Sequence, residues 1–255
     1  LAVNQFNPFS LTGKHILVTG ASSGIGREVA VWLSKQGAMI TLVARDISRL
    51  DLTLSMMDGG GHRIETVDFL DGSDISQWLK SVAKSSSPFD GLVHCAGVQM
   101  PMPIRATSLA DWEKIMSTNV TSGFSLIKAF RQKGVCNTDS SIVLVSSVMA
   151  QAGEPALMGY CASKGAVESM VRAAAVELAR EGIRVNAIAP GVVQTELVET
   201  LESLVGADSM KAIEQRHPLG FGNPQDVAYA ANYLLSPAAR WVTGTSLVVD
   251  GGYLA

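Results

Sequence analysis

The chain has 255 residues, 47% of them hydrophobic, and a formal charge of −3, so it can bury a sizeable core and offers no basic footprint for nucleic acid or anionic lipid. No apolar run approaches the roughly 18–20 residues that span a bilayer, residues 1–11 carry no secretory pattern, and Cys95, Cys136 and Cys161 are too scattered for a disulfide framework. A cytoplasmic protein is expected, without nucleic-acid or membrane partners, and without a metal site, because His15, His62, His94 and His217 never pair at ligand spacing.

In chain order, residues 15–19 form a short β-branched run and read as the first strand. Residues 24–36 follow as a helix, with Ile25, Val29, Ala30 and Leu33 spaced at three and four. Strands are expected at 38–43, 63–67, 91–95, 141–145, 184–188 and 246–249. Helices are expected near 46–57, 73–86, 111–132, 159–181 and 224–236, with a turn at Asp58-Gly59-Gly60-Gly61. Strands that are apolar throughout imply burial on both faces. The reading is therefore one α/β domain over 1–255, a doubly wound Rossmann-type parallel sheet with helices on both faces.

Two constellations carry chemistry. Gly20, Gly24 and Gly26 lie between the first strand and the first helix, where glycines let a backbone turn sharply and approach a pyrophosphate at a helix N-terminus. The spacing G-x-x-x-G-x-G differs from the general dinucleotide fingerprint. Far downstream, Tyr160 and Lys164 are four apart on one helix face, and Ser147 ends the fifth strand thirteen residues before the tyrosine. A phenol is a competent acid at neutral pH, and a neighbouring cation lowers its pKa so that it can also act as a base. Ser146 is adjacent to Ser147 but faces the other side of the sheet.

These motifs resemble the short-chain dehydrogenases/reductases, most of all the 3-oxoacyl-thioester (3-oxoacyl-ACP) reductases. Thr19-Gly20-Ala21-Ser22-Ser23-Gly24-Ile25-Gly26 is similar to their cofactor loop. Cys95-Ala96-Gly97 is similar to most of an Asn-Asn-Ala-Gly segment, with His94 and Cys95 replacing the asparagines. Asn119-Val120, Ser147, Tyr160-x-x-x-Lys164, Pro190-Gly191 and Val249-Asp250-Gly251-Gly252 follow in the family's order, so the likeness spans about 11–255. It implies a sheet of seven strands in order 3-2-1-4-5-6-7 and hydride transfer between a nicotinamide cofactor and a carbonyl or secondary alcohol. It implies a catalytic set of Asn119, Ser147, Tyr160 and Lys164, with Asn119 holding a relay water and Lys164 also binding the nicotinamide ribose. It places Gly20, Ser22, Ser23, Gly24, Ile25, Gly26, Ala96, Gly97, Tyr160, Lys164, Pro190 and Gly191 at the cofactor, Asp68 at the adenine, and Val193 and Thr195 at the nicotinamide carboxamide. Thr195 also suits a helix N-cap, and Asp68 a turn cap.

NAD-preferring members carry an acid at the end of the second strand, where this chain has Ala44 followed by Arg45. An arginine there suits a 2′-phosphate, so NADP(H) is expected in preference to NAD(H). Residues 196–216 are expected to cover the substrate, with Leu197, Val198, Leu201, Leu204 and Val205 as the apolar stripe. Gln99, Met100, Met102, Met149, Gln151, Met158 and Val192 are the expected lining. Relatives that use a carrier protein have basic residues beside the entrance. Here the matching positions are Thr138, followed by Asp139, and Glu181, while the family's Pro-Leu-Gly-Arg becomes Pro218-Leu219-Gly220-Phe221. A 3-oxoacyl-ACP or -CoA reductase is therefore the second reading, and a catalytically silent NADP-binding regulator is the alternative of another class. The apolar second faces of the helices near 111–132 and 159–181 suggest a homotetramer.

Overall fold

Strand β1 (His15–Thr19) is buried along its whole length because its side chains alternate between two apolar covers. Ile16 and Val18 enter one cluster and Leu17 the other, and the fifth strand, β5 (Cys136–Val145), repeats the division with Val143 against Ile142 and Leu144. The first cover is made by α1 (Gly24–Lys35), α2 (Ile47–Ser55) and α8 (Pro224–Leu235). The second is made by α3 (Ile75–Ser85), α5 (Ser122–Phe130) and α6 (Met158–Leu178). Strands β2 (Met39–Ala44), β3 (Arg63–Thr66), β4 (Phe89–His94), β5 (Cys136–Val145), β6 (Arg184–Pro190) and β7 (Ser246–Val249) complete a seven-stranded sheet of order β3-β2-β1-β4-β5-β6-β7. Every pairing is parallel. Helices α4 (Leu109–Met116) and α7 (Ala207–Gln215) complete the set. This computed structural model describes residues 7–70, 74–196, 198 and 206–255, so Leu197, Leu201, Leu204 and Val205 of the expected cover lie outside the described residues. No described helix is long and apolar enough to cross a membrane.

Two expectations are corrected. The run expected as one helix over 111–132 is α4 and α5 joined by a π turn at Ser117–Thr121, closed by Ser122 N–H donating to Ser117 C=O. One inserted residue changes the local turn without disturbing the apolar period on either side. Strand β5 starts at Cys136 instead of 141 because Cys136 still pairs with Phe89 of β4, while the polar residues 137–140 form an irregular stretch before Ser141. The register shifts between Phe89↔Cys136 and Gly91↔Ser141, and Asp139 adopts a left-handed φ of 60° within the shift.

One buried chain of hydrogen bonds ties the ends of β1 and β4 to the π turn. Ser122 Oγ donates to Thr118 C=O, so it accepts from His94 Nε2–H at 3.0 Å. His94 Nδ1 then accepts from Thr19 Oγ1–H at 2.7 Å, and Thr19 Oγ1 accepts in turn from Ala96 N–H at 3.4 Å. Every donor has one acceptor, which fixes the neutral Nε2–H form of the ring. Burial lowers the His94 pKa from 6.5 to about 3, and the Lys164 charge pushes the same way. The unfolded chain therefore binds a proton that the fold refuses between these two values. This contribution to stability is complete above about pH 6.5 and is lost progressively as pH falls toward about 3, at up to ~1.4 kcal/mol per pH unit. Thermal melts from pH 7.5 to pH 5 should show a shallower loss of Tm in His94→Gln than in the unmodified protein. Parallel curves would remove His94 from the acid sensitivity.

Candidate active site

The C-terminal ends of β1, β4, β5 and β6 open on one edge of the sheet, and β1 and β4 flank the point where the strand order reverses. In open α/β sheets this crevice is where ligands bind. The glycine turn lies there. Gly20 has φ of 69°, and a Cβ on it would sit 2.8 Å from the Ala96 nitrogen. A Cβ on Gly26 would sit 2.2 Å from the Gly20 carbonyl oxygen. Only glycines allow the turn to press so closely on β4 and on itself. Ser23 is the N-cap of α1, yet its side chain caps nothing and the first turn holds no acid. The other early helices are capped: Asp46 accepts from Arg49 N–H, Asp74 from Gln77 N–H, and Ser108 and Asp111 form a capping box. The α1 terminus thus presents its N–H groups and positive dipole end without a side-chain anion, which fits a diphosphate.

Around the cradle the expected cofactor residues are distributed as follows. Ser22 C=O accepts from Arg27, and Ile25 packs into the core beneath the turn. The Thr195 methyl would lie 3.3 Å from a Cβ on Gly24, so the segment after β6 closes over the cradle. Arg45 is exposed just beyond β2 and makes no side-chain hydrogen bond or ion pair among the described residues. Arg49, one helical turn on, is paired instead with Glu196 at 2.8 Å. Asp68 follows β3 and accepts from Leu70 N–H at 3.0 Å, so it caps a turn in this structure. Pro190 ends β6, and Val193 forms a parallel bridge with Gly222. Gln194 N–H and Val192 C=O make that bridge, which leaves the N–H and C=O of Val193 on the opposite side. A cleft of about 720 Å³ adjoins the glycine turn and includes Arg27, Thr195, Met210 and Phe221 in its wall.

The residues expected to transfer the proton converge from β5, the π turn and α6. Ser147 leaves β5 and accepts from Met149 N–H at 3.2 Å, so its own hydroxyl proton is free to point at the phenol of Tyr160. Lys164 Nζ donates to Val145 C=O at 2.8 Å and stands 5.5 Å from the Tyr160 ring centroid. Burial lowers the Lys164 pKa from 10.5 to about 8. The same burial raises that of Tyr160, with Ser147 opposing. The sequence reading expected the lysine to lower the phenol. In this structure burial dominates and the group that opposes it is Ser147, not the lysine, so Tyr160 keeps its proton. Ser146 turns to the backbone of α6, where it donates to Lys164 C=O at 3.3 Å.

Asn119 sits in the π turn, and its side chain is fully engaged. Oδ1 accepts from Val98 N–H at 2.8 Å, and Nδ2 donates to Val98 C=O and to Ser163 Oγ, each at 2.9 Å. Ser163 in turn donates to Tyr160 C=O at 2.7 Å. This serine, which pins the turn carrying Asn119 to the helix carrying Tyr160, was missed by sequence reasoning; its only signal was its place beside Lys164. Gly97 lies between the two groups, since a Cβ there would be 3.2 Å from Asn119 Oδ1 and 3.6 Å from Lys164 Nζ. Met102 N–H donates to Ala156 C=O at 2.8 Å, joining two loops expected to line the pocket. Another expectation fails. Thr138 and Asp139 lie near the start of β5 and Glu181 just past α6, each about 30 Å along its element from Ser147 or Tyr160. Within one chain they do not border the entrance, and Glu181 is paired with Arg131 at 2.8 Å.

Comparison with known proteins gives the family. A family model described as Enoyl-(Acyl carrier protein) reductase matches residues 20–254. Gluconate 5-dehydrogenase of Gluconobacter oxydans (strain 621H) is 33% identical over 247 residues, covering 96% of each chain. The 3-oxoacyl-acyl-carrier-protein reductase of Rickettsia prowazekii (strain Madrid E) is also 33% identical, covering 96% of this chain and 98% of its own. A candidate 2-deoxy-D-gluconate 3-dehydrogenase from Agrobacterium tumefaciens, solved with bound NADP, has a TM-score of 0.85 at 34% identity, covering 98% of this chain and 99% of its own. With its sheet order, its glycine turn and its ordered motifs, the chain belongs to the short-chain dehydrogenase/reductase family of oxidoreductases.

Proposed function

We propose that the protein is an NADP(H)-dependent carbonyl reductase, or alcohol dehydrogenase in the reverse direction, with Tyr160 as the acid and base. The observation that carries this reading is the meeting of Ser147, Tyr160 and Lys164 beside a glycine cradle whose helix terminus has no side-chain cap. The nicotinamide ring, when bound, supplies or accepts the hydride. The chain's own residues do the rest. Ser147 and Tyr160 donate hydrogen bonds to the substrate oxygen and hold the carbonyl carbon open to attack. As that carbon gains a hydride, negative charge develops on the oxygen, and Tyr160 transfers its phenolic proton there to complete the alcohol. Lys164 uses one of its three donors on Val145, leaving two for the ribose hydroxyls and the phenolate left behind. The Asn119 side chain is occupied, so a relay water would rest on its main-chain carbonyl.

Arg45 supports NADP(H) over NAD(H), because Ala44 offers no acid to the ribose and the guanidinium is exposed beside it. Two substrate classes remain open. The relatives named for gluconate support a polyol or sugar-acid ketone, and the Rickettsia relative supports a 3-oxoacyl thioester. Assaying NADPH oxidation with 5-keto-D-gluconate, simple ketones and a 3-oxoacyl thioester separates them. Turnover confined to the thioester would select the second reading. Cofactor binding with no turnover on any of them would favour a silent regulator. A homotetramer is part of the proposal. Phe124 on α5 and Val176 on α6 are 55% and 83% exposed, and β7 leaves Val248 partly open, so apolar surface remains for neighbours to cover.

Three outcomes follow. Tyr160→Phe should bind NADPH as the unmodified protein does and lose at least 100-fold in kcat, by roughly the share general acid catalysis supplies; near-normal turnover would refute the mechanism. Arg45→Ala should weaken NADPH by about tenfold and leave NADH unchanged, the modest size reflecting solvent around an exposed arginine. Equal affinity for both cofactors in the unmodified protein would contradict the assignment. Sedimentation at micromolar concentration should give a tetramer, and a fully active monomer of 26.9 kDa would refute the assembly.

A further inference from the structure

His217 lies outside the catalytic set, is 3% exposed, and uses both ring nitrogens. Its Nδ1 faces Ile213 C=O at 2.9 Å, an acceptor, so that nitrogen carries the proton. Its Nε2 is then an acceptor, and it takes Val192 N–H at 3.1 Å. The ring is wedged between Phe221 and Tyr253, with centroids 5.4 and 4.8 Å away. It comes so close to the loop after β6 that a Cβ on Gly191 would sit 3.0 Å from Nε2. One imidazole thus joins the last turn of α7 to the Gly191–Val192 peptide, one residue before Val193. The other side of that loop is held by Gly222, whose N–H donates to Val192 C=O at 3.0 Å and whose C=O accepts from Gln194 N–H at 2.8 Å. Together these bonds settle which way the Val193 N–H and C=O point.

We propose that His217 is a positioning residue for the nicotinamide: by holding Val192 N–H it orients the Val193 backbone toward the carboxamide. The inference rests on the cofactor reading above. A residue that merely packed the core could be any large side chain, whereas this one needs an acceptor at the Nε2 position and a donor at the Nδ1 position. An asparagine can keep the bond to Ile213, because its amide nitrogen falls near Nδ1, but cannot reach Val192. A glutamine reaches one atom farther and can accept from Val192 N–H.

The test is calorimetric titration of the unmodified protein, His217→Asn and His217→Gln with NADP and with 2′-phospho-ADP-ribose, the same molecule without its nicotinamide. NAD and ADP-ribose serve as a second pair, and melting temperature is recorded for each variant. His217→Asn should weaken the full cofactor about tenfold and leave the fragment within twofold, while His217→Gln restores the full affinity. Equal loss for cofactor and fragment would mean a structural role only and overturn the inference, as would unchanged affinity for both. If the unmodified protein bound neither cofactor, the oxidoreductase reading itself would fall, and this inference with it.

Discussion

The site is organised by the ammonium of Lys164, a cation buried with no carboxylate paired to it among the described residues. Among the described residues its one acceptor is the Val145 carbonyl, at the end of the strand that delivers Ser147. A buried charge with unfilled donors is costly, and here the cost appears as a pKa depressed to about 8. On the proposed function, the missing acceptors are those that a ribose and a phenolate would bring. Tyr160 shares the burial and answers in the opposite direction, keeping its proton. The two groups are thereby held as a cation and a neutral acid, the pair that the proposed carbonyl reduction requires.

The rest of the molecule keeps that pair beside the cofactor cradle. The parallel sheet brings the strand ends to one edge, and the buried chain from Ala96 through Thr19, His94 and Ser122 to Thr118 ties the cradle to the π turn. Asn119 carries the tie onward to Ser163 and so to the backbone of Tyr160. The glycine turn and the proposed proton-transfer residues are therefore not two modules set side by side. Two sets of directed hydrogen bonds, joined through the backbone of the π turn at Thr118 and Asn119, link them.

Much of this was legible in the chain. Apolar runs showed the strands because burial on both faces demands them, and the glycine turn and the Tyr160–Lys164 pair stood at spacings that a helix and a tight turn enforce. The π turn was hidden, because one extra residue leaves the periodicity of α4 and α5 intact. The early part of β5 was hidden because Asn137, Thr138 and Asp139 are polar residues on an irregular stretch. His94 was visible only as a departure from an Asn-Asn pair, and nothing in sequence told that its ring would reach Ser122, 28 positions away. Thr138 and Glu181 were misplaced because their distance from the entrance depends on where β5 and α6 begin and end. His217 carried no motif at all; its partners are set by how α7 meets the loop after β6.

The most direct test of the buried cation is the proton linkage of cofactor binding, measured by calorimetry in buffers of different ionisation enthalpy. Working in Tyr160→Phe removes the phenol's own titration. Lys164 begins with a pKa of about 8, and ribose hydroxyls accepting from its ammonium would raise that value in the complex. Binding should therefore take up protons between about pH 8 and pH 10, with affinity falling as pH rises through that window, and uptake should vanish when Lys164→Met is added. Tight binding with no proton uptake anywhere from pH 7 to pH 10 would contradict the central place given to Lys164.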